Sequence, residues 1–197
     1  MRIKDLQKIG NKYFGLQDLA KILGISFNSA KVSASRYVKQ GYLVRIKKNM
    51  YTLPEFWNNA PIEDVFMIAN LGQTPSYISL TTALSYYEIT TQIQQDYIES
   101  IVIRRTKKIN INGLTFRYNK IKDNLYFGFV KEKDFFIATP EKAFIDSIYL
   151  TSLGRYAFDL AAIDREKINW NKIVDLCNRF PLKIRKRLEK DGYLKET

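Results

Sequence analysis

The chain has 197 residues, 46% of them hydrophobic, and a formal net charge of +12 with no histidine and one cysteine. That length and apolar content suit one or two packed domains and exclude a disordered chain, while the missing histidine excludes Ser-His-Asp and Cys-His nucleophile systems and removes a main member of the common zinc ligand sets. Up to Ala60 eleven basic residues stand against three acidic ones, a net +8 that points the first third of the chain at a polyanion.

Three short helices are predicted first. Ile3, Leu6 and Ile9 fall on one apolar face that ends at Gly10. Leu16 to Leu23 follows, with Leu16, Leu19, Ala20 and Leu23 on one side and Gly24 just past the end. Gly24, Ile25 and Ser26 make a turn, and Ser26 caps a third helix from about Phe27 to Gln40 that Gly41 stops. The stretch YLVRIKKNMYTL then alternates Leu43, Arg45 and Lys47 with Val44 and Ile46 before a polar break at Lys48-Asn49, the pattern of a hairpin with a basic tip. Helix, helix, turn, helix and basic hairpin in this order predict a winged helix-turn-helix. Pro54 to Pro61 reads as a linker, so the expected domains are residues 1–57 and 61–197.

The second domain is expected to be mixed α/β, which makes the whole chain α+β. A helix is predicted from Pro61 to about Asn70 and another, capped by Ser79, to Tyr87. Strands are predicted at 98–104, at 114–118 after an Asn112-Gly113 hairpin turn, at 125–130 and at 135–138, giving a sheet of at least four. Thr139-Pro140-Glu141 reads as N-cap, first-turn proline and first-turn carboxylate of a helix to about Leu150. Asp146 lies four residues after Lys142, and the two are expected to form an exposed ion pair worth only a few tenths of a kcal/mol; Glu141, Lys142 and Asp146 are read as structural rather than catalytic. The tail is predicted helical at 168–180 and 181–190. Cys177 stands beside Val174, Leu176 and Phe180 and is expected to be a core thiol, because reactive thiols need an electropositive, exposed setting. Lys183, Arg185, Lys186, Arg187 and Lys190 form either a solvated face or a second contact surface.

The third helix carries the chemistry. At 100° per residue Phe27, Ala30, Ala34, Tyr37 and Val38 share one sector and are expected to pack on the first two helices. The opposite face then presents Asn28, Ser29, Val32, Arg36 and Lys39, with Lys31, Ser33, Ser35 and Gln40 on the flanks. Asn28, Ser29, Val32, Ser33 and Arg36 suit base readout in a major groove: short polar groups approach base edges, a branched side chain meets thymine methyls, and a guanidinium forks onto guanine or phosphate. Val32 supports this, since an apolar residue on an otherwise solvated face is unnecessary for solubility and is more easily explained by contact with something. Lys31, Lys39, Arg45, Lys47, Lys48 and Asn49, at the helix edge and hairpin tip, suit phosphate contacts that set affinity and salt dependence. No catalytic or metal-binding residues are expected. The glycines are scattered singly and build no phosphate-binding loop, so no cofactor is expected either. No apolar run approaches the ~20 residues that span a bilayer and MRIKDLQKIG lacks a signal peptide's apolar stretch, so a cytoplasmic protein without a membrane is expected.

The segments FGLQDLAKILGIS and SRYVKQGYLVRIKKNMYTL, followed in order by YISLTTALSYYEI and FFIATPEKAFIDSIYL, resemble the AbiEi family, the antitoxins of bacterial abortive-infection (type IV) toxin-antitoxin systems. The resemblance covers about Phe14 to Leu150. It departs at the wing, where the family usually has glycine before the aliphatic-Tyr pair and this chain has Asn49, a residue that tolerates left-handed backbone. It implies a non-enzymatic repressor of its own operon that binds inverted repeats in promoter DNA, and an antitoxin opposing a nucleotidyltransferase toxin. Two readings stand beside it: a stand-alone winged-helix regulator whose second domain senses a ligand or dimerises, and an RNA-binding module using the same basic surface.

Overall fold

The computed structural model describes residues 3–92, 94–95 and 97–195. By contact the chain forms two units, one up to Ile68 with Ile111–Gly113 and one of Ala69–Asn110 with Leu114 onward. The division by contact falls inside a helix (Ile62–Gly72).

In the first unit α1 (Ile3–Leu6), α2 (Leu16–Leu23) and α3 (Phe27–Lys39) precede a two-stranded antiparallel hairpin of β1 (Val44–Lys47) and β2 (Met50–Thr52). The helix ends are set locally. Asp18 accepts from Gly15 N at 2.8 Å, and Gly24, at φ 61°, turns the chain so that Ile25 N reaches Ala20 O at 3.0 Å. Ser26 accepts from Ser29 N at 3.2 Å and so satisfies an orphan donor at the start of α3. Leu6, Ile9, Leu16, Leu19, Leu23, Ala34, Tyr37, Leu43 and Tyr51 share one core; the side chain of Ile3 lies outside the described residues. Phe14 exchanges both backbone hydrogen bonds with Tyr51 at 3.0 Å, which fastens the hairpin to the segment before α2. The stretch read as a linker holds a short helix, α4 (Pro54–Asn58), begun by Pro54 at its first position. α5 (Ile62–Gly72) follows.

The second unit is built on a six-stranded sheet: β3 (Ser76–Ile78), β4 (Tyr97–Val102), β5 (Lys107–Ile111), β6 (Leu114–Lys120), β7 (Phe129–Glu132) and β8 (Phe135–Ala138), in the order β5-β6-β4-β3-β8-β7. β3 runs parallel to β8 and β4 parallel to β6, while β3–β4 and β7–β8 are antiparallel. The strand expected from 125 begins only at Phe129, because Asp123–Leu125 forms a 3-10 turn that buries Leu125. α6 (Leu80–Tyr86), α7 (Pro140–Ser152), α8 (Trp170–Cys177) and α9 (Leu182–Lys190) complete the unit, with α7 packed against α6, α8 and α9. The described chain is thus α+β, with no helix long and apolar enough to cross a membrane.

The Lys142–Asp146 pair is the chief correction to the expectation from sequence. Both side chains are 0% exposed, because ten consecutive residues of α7, Glu141 to Leu150, are buried. Spacing of four residues places two side chains on one face of a helix, but only packing decides whether that face meets water.

Candidate nucleic-acid interface

Two alanines and a tyrosine organise α3. Ala30 and Ala34 are fully buried and Tyr37 nearly so, and the two small alanine side chains on this face let α2 approach closely. Val38 packs beside them, half-buried. Phe27 departs from the expected packing and stays 48% exposed. A helical side chain lies over the turn before its own Cα, and at the first position of α3 there is no such turn.

The opposite face follows from the buried one. Asn28, Ser29, Lys31, Val32, Arg36 and Lys39 are exposed and Ser33 is half-buried; Val32 is 70% exposed, the most of any large apolar residue among those described. Asn28, Lys31, Val32, Ser35, Arg36 and Lys39 line a single open depression. Ser29 is partly committed, since its hydroxyl accepts from Ser26 Oγ at 2.9 Å and keeps its own O–H to donate. The Arg36 guanidinium lies 5.5 Å from the centre of the Tyr37 ring, a contact that orients it without neutralising it.

The hairpin presents Arg45, Lys47 and Lys48 to solvent while Val44 and Ile46 point inward, as strand alternation requires. Asn49 takes the left-handed conformation at φ 60° that glycine would otherwise supply. Lys31, Arg36, Lys39, Arg45, Lys47 and Lys48 make no ion pair among the described residues. By contrast, Arg185 and Arg187 of the basic tail helix are paired with Glu189 at 3.0 Å and Asp191 at 3.5 Å, which offsets part of that face's charge.

The second unit holds two buried polar clusters, one built around the Lys142–Asp146 pair expected at the surface and one not expected from the sequence. In one, Lys142 Nζ donates to Tyr77 OH at 2.9 Å and to Asp146; Asp146 also accepts from Tyr77 OH and Ser79 Oγ, each at 3.0 Å. The rings of Tyr77, Phe127 and Phe180 lie 5.2–5.4 Å from the ammonium, and Gly128, at φ 74°, leaves room where a Cβ would come within 3.0 Å of Lys142 Cγ. Burial pushes the lysine down and the aspartate up, while each partner opposes the shift in the other. Lys142 and Asp146 are wholly enclosed and each satisfies the other's charge within the fold. In the other, Glu99 accepts from Tyr156 OH at 2.8 Å, and burial pushes its carboxyl up to about 7. Burial also raises the Cys177 thiol to about 11, the setting of a core thiol. Among the described residues no three of His, Cys, Asp or Glu gather as metal ligands.

Residues 1–54 match the family model described as transcriptional regulator, AbiEi antitoxin. The N-terminal segment is thus similar to AbiEi-type regulators. That AbiEi description names regulators and antitoxins, not an enzyme family. No curated protein sequence matches the chain. Among solved structures, the crystal structure of the RV2827C protein from Mycobacterium tuberculosis has a similar fold, with a TM-score of 0.60 at 11% identity over 96% of this chain and 74% of that one.

Proposed function

We propose that the protein is a DNA-binding autorepressor and antitoxin of a type IV toxin-antitoxin system. α3 enters the major groove of promoter inverted repeats, where Asn28, Ser29, Val32, Ser33 and Arg36 meet base edges. Lys31, Lys39, Arg45, Lys47, Lys48 and Asn49 hold the phosphates on either side. Residues 1–57 carry this activity and residues 61–197 the antitoxin activity, which opposes a nucleotidyltransferase toxin; the protein works in the cytoplasm. The observation that carries the DNA reading is Val32, 70% exposed in a face of unpaired cations and short polar groups on a helix whose other side is buried. An apolar side chain in that place lowers free energy only when something covers it.

A footprint on the protein's own promoter tests the regulatory half. Wild type is expected to protect an inverted repeat and Arg36→Ala to lose that protection; identical protection by both removes α3 as the reading helix. Co-expression with a nucleotidyltransferase encoded next to it tests the antitoxin half. Growth restored by the full chain is the expected result, and continued arrest contradicts it.

A further inference from the structure

Residues 103–122 carry Arg104, Arg105, Lys107, Lys108, Arg117, Lys120 and Lys122 and no acidic residue, a second concentration of positive charge that lies wholly outside the AbiEi-type segment. Part of it is concave. Gly72, Gln73, Thr74 and Pro75 on one side and Arg104, Arg105 and Lys107 on the other enclose an open depression of about 540 Å³, within the size range of small-ligand sites. Arg104 and Arg105 are exposed and Lys107 is half-buried, and none of the three makes an ion pair among the described residues.

The loop that presents these cations is held in place. Gln73 Nε2 donates to Arg105 O at 2.7 Å. Thr106 Oγ1, between Arg105 and Lys107, accepts from Lys120 N at 3.2 Å and from Arg155 Nη2 at 3.1 Å. Three side-chain hydrogen bonds therefore fix a short exposed turn whose projecting groups are cationic. Fixing them together is electrostatically unfavourable unless an anion is bound, and a pinned loop loses less entropy when that anion arrives.

We propose that this depression binds a compact chain of linked phosphates, as in a nucleoside di- or triphosphate or in inorganic tripolyphosphate. Two guanidinium forks and one ammonium offset most of the charge of such a chain, and guanidinium pairs with phosphate oxygens in bidentate fashion. A recessed site favours a compact polyanion over a nucleic-acid backbone, which is a convex rod and meets protruding cations more readily. None of the residues assigned to DNA takes part in this site, so it stands or falls independently of that reading.

Calorimetric titration of the full chain without DNA, at physiological ionic strength, tests the proposal with metal-free ATP and with tripolyphosphate as separate ligands. Saturable one-to-one binding is expected, weakened at least tenfold by Arg104→Gln/Arg105→Gln and unchanged by Lys47→Ala/Lys48→Ala. Equal affinities assign the site to the phosphate chain alone; tighter ATP binding assigns it to a nucleotide, and either supports the proposal. Melting of the double variant without ligand is expected to match wild type, and Lys107→Gln supplies a second readout if it does not. Absence of saturable binding overturns the proposal, as does equal loss in the Lys47/Lys48 variant. A double variant that keeps tripolyphosphate binding but loses affinity for duplex DNA or structured RNA also overturns it and makes the loop a nucleic-acid contact.

Discussion

α3 and α7 are both thirteen residues long, and both begin at a hydroxyl cap: Ser26 accepts from Ser29 N at 3.2 Å and Thr139 from Lys142 N at 3.3 Å. Their polar residues turn in opposite directions. In α3 only Ala30, Ala34 and Tyr37 are buried, so its lysines and arginine face outward. In α7 the buried set runs from Glu141 to Leu150 and includes Lys142 and Asp146. Composition is therefore a poor guide to the role of a charged helical residue. The charged side chains of α7 are enclosed by the fold, and those of α3 stay exposed.

The largest expected effect breaks the contrast from the α7 side. Lys142→Met leaves Asp146 enclosed without its cation, and removing one member of a buried pair typically costs about 3–5 kcal/mol. Urea unfolding checks this, with Arg36→Ala in α3 expected to stay within about 0.5 kcal/mol of wild type. Similar losses in both variants would erase the distinction. Replacing both partners, as Lys142→Met/Asp146→Leu, is expected to cost less than the sum of the single changes.

Burial in the second unit also sets a pH dependence. The Glu99 carboxyl is raised from 4.5 to about 7 in the fold, so its stabilising contribution is complete below 4.5 and declines as pH rises toward 7. The unfolded chain releases the proton over that range while the folded one retains it. The total loss is at most about 3 kcal/mol. Glu99→Gln keeps the shape and is expected to flatten the unfolding free energy between pH 5 and 8; an unchanged profile would show that Glu99 ionises freely in the fold.

Two smaller effects sharpen the contrast from the α3 side. Arg36→Ala is expected to weaken operator binding by about 1–3 kcal/mol and to relax the base preference at one position. Lys47→Ala/Lys48→Ala is expected to weaken binding to all sequences alike and to reduce the slope of log affinity against log salt by about 0.9 for each phosphate no longer neutralised. An unchanged slope would remove the hairpin tip from the interface.

The first unit is largely legible in the sequence because its signals are local. Ser26 and Gly41 bracket α3, the alanines mark its buried side, and Asn49 takes the left-handed turn that its side chain tolerates. The second unit is less legible because its determinants are distant. β3 is three residues long and buried throughout, leaving no alternation to detect. The pairing of Lys142 with Tyr77 spans 65 residues, and i,i+4 spacing looks the same on a wet face as on a dry one. α4 hides in the sequence although Pro54 and Glu55 are start signals, because five residues show no periodicity. The basic loop at Arg104–Lys107 stands between two strands, one of them without a clear pattern, and its concavity comes from chain some thirty residues away.

Competition binding with Val32→Ala tests the outward face of α3 most directly. The ratio of affinities for the promoter repeat and for a scrambled duplex is measured beside the melting temperature of the protein without DNA. A reduced ratio at an unchanged melting temperature is predicted, since the exposed side chain is proposed to meet the bases and is not part of the core. An unchanged ratio, or a ratio that falls only together with the melting temperature, would contradict a DNA-reading role for this face.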